Sequence, residues 1–291
     1  MSSLFPLPMT ASAMSEQSIN QATATNNRKT VVALGFLVFC MLAVAAAFTW
    51  PAPSEPRTRI IPLKAVRSLP HDPASFCQGL IVENGQMYEG TGHYGQSRLR
   101  QLDLESGSPL IDVAMPDTVF GEGITILNGV LYQLTWKENV MLTYDPKTLK
   151  QTGGIPYQQI DRSLKEGWGL THNGHQLIIS DGSSYIRFVD AKTMKLVRRI
   201  KVKDGFRSIK DLNELEYMNG QILANVWYSD QIAVIDPANG RVQSWLDASK
   251  LRPASVAKDR EAALNGIAWD SKAKKLYITG KNWPTMYQVA W

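Results

Sequence analysis

The residue best equipped for proton transfer in this chain is an acid set between two glycines, in Phe120-Gly121-Glu122-Gly123-Ile124-Thr125. It enters what reads as a strand, so it is held close to open backbone rather than on a solvated helix face. The arrangement recurs five times along the chain with a different residue at the key position. The position six before each of five turns is occupied by Gln78, Glu122, Gly167, Asn213 and Asn265. Four of these are polar, and the glycine is preceded by Glu166. Gly79, Gly121, Gly123, Gly169 and Gly266 surround them and let backbone crowd together. Eight residues past the turn, Trp136 and Trp227 hold equivalent places, and Trp168 follows the third position, Gly167. Indoles beside a carboxylate exclude water and raise its pKa, which suits it to proton transfer near neutrality. Trp245, Trp269 and Trp291 are expected in the core.

The elements that must present these residues are strands. From Arg59 onward short apolar runs alternate with Gly, Asn and Asp turns, and no helical period appears. Asn84-Gly85, Asn128-Gly129, Asn173-Gly174 and Asn219-Gly220 each separate two β-rich runs at spacings of 44, 45 and 46 residues. Asn-Gly is a strong hairpin signal because both residues accept positive φ. A weaker fifth turn lies at Asp270-Ser271-Lys272. Second turns follow at Asp103–Gly107, Asp145-Pro146, Asp190–Thr193 and Asp236–Gly240. Four strands per unit at a period near 45 residues is the pattern of propeller blades. The last unit ends after three strands, while Arg59–Ser68 forms a strand that no unit claims. The expectation is an all-β, five-bladed propeller whose N-terminal strand completes the last blade and removes a free edge. A β-sandwich with evenly spaced hairpins leaves the repeated strand entries unexplained.

Ahead of this domain, residues 1–29 are rich in Ser, Thr, Gln, Asn and Ala and read as a disordered leader on the cytoplasmic side. Arg28-Lys29 precede residues 30–50, which carry no charge over a length that matches the ~20 residues of a membrane-crossing helix. Ala45-Ala46-Ala47 resembles a signal cleavage site, but the polar leader is long for a secretory signal. The stretch reads as an uncleaved anchor with the catalytic domain on the extracytoplasmic, periplasmic or lumenal, side. Residues 51–58 form a Pro-rich linker, and 59–291 the propeller. The net charge of +5 is mild. The basic runs Lys195–Lys203 and Lys272–Lys275 lie beside turns and read as a solvated outer face, so nucleic acid is not an expected partner. Two cysteines, one of them in the apolar segment, exclude a disulfide framework.

Ten short segments then carry a resemblance. Phe76-Cys77-Gln78-Gly79-Leu80, Tyr88-Glu89-Gly90-Thr91-Gly92, Phe120-Gly121-Glu122-Gly123, Leu134-Thr135-Trp136 and Glu166-Gly167-Trp168-Gly169-Leu170 are followed by Ser180-Asp181-Gly182, Asn213-Glu214-Leu215-Glu216, Ala224-Asn225-Val226-Trp227, Leu264-Asn265-Gly266-Ile267 and Thr279-Gly280-Lys281-Asn282-Trp283-Pro284. In this order the sequence from about Ser68 to Trp291 resembles the plant and bacterial glutaminyl-peptide cyclotransferases, themselves five-bladed propellers. The resemblance implies cyclisation of the N-terminal glutamine of peptides and proteins to pyroglutamate, with release of ammonia. It puts the catalytic carboxylate on Glu122 and pocket residues on Phe76, Gln78, Phe120, Trp136, Trp168, Asn213, Trp227 and Lys281. Of these, Glu122 is expected to shuttle the proton, and Lys281, Gln78 and Asn213 are donors for the carboxamide oxygen. The sequence departs from the family at Cys77, where Thr is usual, and at Gly90, where Ser is common.

No catalytic metal is expected. His172 and His175 bracket a hairpin turn, and no third ligand is spaced to join them or His71 and His93. Oxygen donors near the channel leave room for a structural calcium. The protein is expected to act as a monomer on Gln-initiated chains. Two alternatives stay open on the residues alone: a metal-dependent propeller lactonase, and a binding propeller of the cell envelope without chemistry.

Overall fold

The computed structural model describes residues 58–291. The expected leader, apolar span and linker up to residue 57 lie outside the described residues. Among the described residues no helix is long and apolar enough to cross a membrane.

Five antiparallel sheets follow one another along the chain, each running from an inner to an outer strand. Blade one comprises Cys77–Glu83, Gln86–Thr91, Arg98–Leu102 and Pro109–Ala114. Blade two runs from Gly121–Leu127 to Gln151–Pro156, blade three from Leu170–His172 to Lys195–Lys201, and blade four from Leu212–Met218 to Val242–Asp247. Blade five has Leu264–Asp270, Lys275–Gly280 and Thr285–Ala290, and Lys64–Pro70 pairs antiparallel with the last of these as its fourth strand. The closure expected from the sequence is therefore present, with a refinement. The N-terminal run is divided at Leu63, which is buried and donates its N–H to Asp247 O at 2.8 Å. Arg59–Pro62, ahead of it, pairs parallel with Val242–Asp247 and widens blade four to five strands. One N-terminal segment thus ties two blades together.

The turns form for the reason their residues suggest. Asn84, Asn128 and Asn219 have φ of 53°, 54° and 50°, and each is followed by a glycine at positive φ. Asn173 is the exception: its side-chain oxygen instead accepts the N–H groups of His175 and Gln176. In the second turns Asp103, Asp145, Asp190 and Asp236 cap backbone N–H groups two or three residues ahead, the local bonding that makes Asp a turn residue.

Burial follows the radial position of each strand. Gly121–Leu127 is buried throughout, whereas Pro109–Ala114 and Lys195–Lys201 alternate as outer strands do. The apolar clusters lie between neighbouring blades: Ile81, Tyr88 and Leu99 of blade one meet Ile124, Leu131 and Tyr144 of blade two, and Leu80 and Met87 meet Tyr277 and Met286 of blade five. Trp245 is buried and Trp269 half-buried, as core tryptophans should be. Trp291 is 50% exposed, because the last strand ends at Ala290 and leaves its ring beyond the sheet.

Near the axis the inner strands pack backbone to backbone. A Cβ on Gly79 would lie 2.5 Å from Ile124 N, and one on Gly169 would lie 2.0 Å from Asn213 O. No side chain larger than hydrogen fits between these blades.

Candidate active site

At the start of the inner strands the pairing slips. Register shifts fall between Cys77 and Gly79, Gly121 and Ile124, Leu212 and Leu215, and Leu264 and Ile267. Gln78, Glu122, Asn213 and Asn265 lie inside these bulges. A bulge frees a residue from the ladder and re-aims its side chain, so the repeat that produces the blades also turns Gln78, Glu122, Asn213 and Asn265 away from regular pairing.

A cavity of about 250 Å³ opens there, and all nine residues singled out in the sequence line it: Glu122, Gln78, Asn213 and Lys281 with Phe76, Phe120, Trp136, Trp168 and Trp227. Glu122 is only 4% exposed. Its Oε1 accepts a bond from Gln78 Nε2 at 3.1 Å, while its buried Oε2 has no partner. Gln78 is held in that orientation by Asn265, whose Nδ2 donates to Gln78 Oε1 at 3.2 Å and to Cys77 O at 2.9 Å. Burial pushes the Glu122 carboxyl well above the usual carboxylate range; Lys281 opposes this, and the charges of Glu138 and Glu166 reinforce it. Lys281 is equally enclosed, with its ammonium 4.5 Å from the centre of the Phe76 ring and 5.8 Å from that of Trp227. Burial lowers its pKa against the attraction of Glu122.

The aromatic wall is continuous. Phe120 packs against Trp136 at 5.5 Å between centroids, and Trp168 stands edge-on to Trp227 at 5.5 Å. Trp227 in turn stacks on Tyr228 at 4.2 Å. A single oxygen of Glu166 accepts both Trp136 Nε1 at 2.9 Å and Trp168 Nε1 at 3.1 Å. The N–H of Trp227 is left without a partner, as is Asn213 Oδ1, and both atoms are buried. The site thus offers an unpaired carboxylate oxygen, an unpaired N–H donor and an unpaired amide oxygen inside one apolar enclosure. Buried polar groups are normally satisfied, and three such atoms on residues of one cavity suit a ligand that carries both donors and acceptors.

A sequence profile described as glutamine cyclotransferase matches residues 36–291. The chain belongs to that family. It is 40% identical over 234 residues to the glutaminyl-peptide cyclotransferase of Arabidopsis thaliana, across 79% of this chain and 72% of that protein. The crystal structure of a glutaminyl cyclase from Myxococcus xanthus superposes with a TM-score of 0.73 at 34% identity, covering 81% of this chain and 98% of that one. The protein is therefore a cyclotransferase on a five-bladed propeller, and the lactonase and binding-propeller readings fall away.

Two cavity residues of this cyclotransferase were not singled out in the sequence. His93 lies over Phe76 at 4.0 Å between centroids, in a backbone with φ of 84°. The count that leads to Trp136 and Trp227 leads in the first blade to Gly92, one residue short of it, so the periodicity carried the signal. Glu261 comes from the loop between blades four and five and accepts the Tyr228 hydroxyl at 2.7 Å. No repeat reaches that loop. The two departures from the family pattern stay out of the cavity: Cys77 is buried at the junction of blades five and one, and Gly90 is packed against Ile124 and Gln133. Among the described residues no three His, Cys, Asp or Glu side chains gather as a metal site would require.

Proposed function

We propose that this cyclotransferase converts the N-terminal glutamine of peptides and proteins to pyroglutamate with release of ammonia, using side chains alone. The observation that carries the reading is the coincidence of Glu122 Oε2, Trp227 Nε1 and Asn213 Oδ1, all unpartnered, in one aromatic cavity. An N-terminal glutamine presents an ammonium, a carboxamide oxygen and a carboxamide N–H within one residue, a set complementary to these three.

In this mechanism the glutamine enters with its α-amine protonated, the usual state for a group with pKa of about 7.7–8.0. Glu122, its carboxyl raised well above the ordinary carboxylate range by burial, takes the proton through Oε2. The neutral amine attacks the side-chain carbonyl carbon, forming the ring C–N bond, and the carbonyl electrons move to oxygen. The N–H of Trp227 and the Lys281 ammonium stabilise that oxygen; one such donor contributes about 2.7–4 kcal/mol. Glu122 then returns its proton to the departing nitrogen, the old C–N bond breaks to release ammonia, and the carboxylate takes the second proton still on the ring nitrogen, which leaves with the ammonia as ammonium and restores Glu122. Gln78 is a positioning residue here, because one N–H of its amide orients Glu122 through Oε1. Asn213 Oδ1 takes an N–H of the carboxamide. The enclosure holds the folded-back conformer in which amine and carboxamide meet, the larger part of the work for an intramolecular reaction.

Incubation of the purified protein with a Gln-initiated peptide, followed by mass spectrometry, tests the reaction. Loss of ammonia that persists after exhaustive chelation is expected. An unchanged peptide contradicts the reading, and activity abolished by chelator and restored by a metal contradicts its side-chain mechanism.

A further inference from the structure

Charge in the folded part of the chain is concentrated in one place. Across residues 58–291 lysines and arginines exceed acids by four, yet residues 195–210 alone hold seven cations against the single acid Asp204. The remainder of the described chain therefore carries two more acids than bases. Six of the seven cations, Lys195, Arg199, Lys201, Lys203, Arg207 and Lys210, are exposed. They occupy the outer strand of blade three and a short hairpin beyond it, in which Lys203–Asp204 pairs with Arg207–Ser208.

The hairpin is built to stand still and to project. Val202 and Ile209 at its base are buried, and Ile209 N donates to Val202 O at 3.1 Å. Its one acid is occupied: Asp204 accepts Trp245 Nε1 at 3.0 Å and the Thr58 hydroxyl. At the tip, next to Gly205 with φ of 58°, Phe206 is 88% exposed, more than any other large apolar side chain among the described residues. Val197 and Tyr185 of the same blade are exposed as well. An exposed outer strand rich in lysine is a common guard against edge pairing, but that purpose does not account for an aromatic ring held out in water by a rigid hairpin.

The hairpin bonds to Thr58, the residue at which the chain enters the fold, and only residues 51–57 separate that point from the uncharged stretch 30–50. Seven residues span at most about 25 Å when extended. If residues 30–50 cross a bilayer, the hairpin is tethered beside its surface. A water-soluble polyanion would be recognised by the cations alone; the interfacial zone of an anionic bilayer takes an aromatic ring and a ring of cations together.

We infer that the Phe206 hairpin and the basic outer strand of blade three form a docking surface for the anionic headgroups of a lipid bilayer, with Phe206 entering the interfacial zone. The full chain carrying Phe206→Trp, compared side by side with the wild type, is added to vesicles of phosphatidylcholine alone and of phosphatidylcholine mixed with phosphatidylglycerol, each with brominated acyl chains. Phe206 lies outside the cavity, so turnover of a Gln-initiated peptide reports that the variant is folded. The expected result is a blue shift and quenching of the added tryptophan in the anionic vesicles only, abolished by adding K203E, R207E and K210E. Absence of excess quenching in anionic vesicles overturns the inference, as does equal quenching in neutral ones or retention on heparin without bilayer contact. Flotation of the chain with neutral vesicles reports separately on residues 30–50, so failure of the anchor and failure of the docking surface are distinguishable.

Discussion

Two carboxylates of this protein are buried to nearly the same degree and behave in opposite ways. Glu89, on the second strand of blade one, accepts His71 Nε2 at 2.9 Å and Ser75 Oγ at 2.5 Å, with the Arg100 guanidinium 3.8 Å from its other oxygen. Burial would raise its pKa, but His71, Ser75 and Arg100 together hold it below the ordinary value. His71 donates its other ring nitrogen to Trp283 O at 2.6 Å. Both nitrogens face acceptors, which favours the doubly protonated ring. Burial works against that charge too, and Glu89 overrides it to leave the His71 pKa raised. Glu122 has one amide donor and an empty oxygen, and burial wins there. Between these two acids the charged partners of Glu89, and not a difference in depth, set the direction of the shift. The two lie close in the architecture: the His71 clasp holds Trp283, two residues after Lys281, against the loop that leads to Phe76.

Glu122→Gln keeps the size and the Gln78 contact and removes the titrating group. Turnover of a Gln-initiated peptide should fall about 10³-fold or more, with an unchanged thermal unfolding midpoint.

His71→Ala should do the reverse, costing about 3–5 kcal/mol of stability by stranding Glu89, measured by denaturant unfolding. Its pH dependence has a definite sign. The Glu89 contribution is complete above the ordinary value of 4.5 and is lost as pH falls through the lowered folded value. The His71 contribution is complete below 6.5 and is lost as pH rises through the raised folded value. The stability gap between wild type and variant should therefore be widest between those two pH values and narrow on both sides.

Smaller effects sharpen the picture of the enclosure. Trp227→Phe keeps the stack on Tyr228 and deletes the unpartnered N–H, and should lower kcat by about 10²-fold with little change in KM. Glu166→Gln and Glu166→Ala separate two roles of that residue. The amide can still accept both indoles, so its KM should stay near wild type while the acid limb of kcat/KM moves to lower pH, because a charge that raises the Glu122 pKa is gone. The alanine variant should add a rise in KM as Trp136 and Trp168 lose their common acceptor.

Much of this was legible in the sequence because the fold is periodic. Asn-Gly turns at nearly constant spacing give the blades, and a fixed offset from them gives Gln78, Glu122 and Asn213. What the repeat does not encode was harder to read. The division of the N-terminal run at Leu63 depends on two different sheet edges being available, and nothing in Arg59–Ser68 announces it. The His71–Glu89–Trp283 clasp joins residues up to 212 apart in the chain. Glu261 comes from a loop that belongs to one blade junction only. Residues at the repeat's fixed offsets were foreseen; the His71 clasp and Glu261, which no repeat places, were not.

The account turns on the protonation of Glu122, and infrared difference spectroscopy of wild type against Glu122→Gln measures it directly. The protonated-carboxyl band lost in the variant should persist well above pH 4.5 in the free enzyme. A band already gone by pH 4.5 would mean that Glu122 is an ordinary ionised carboxylate, and the proposed return of its proton to the leaving nitrogen would have no basis.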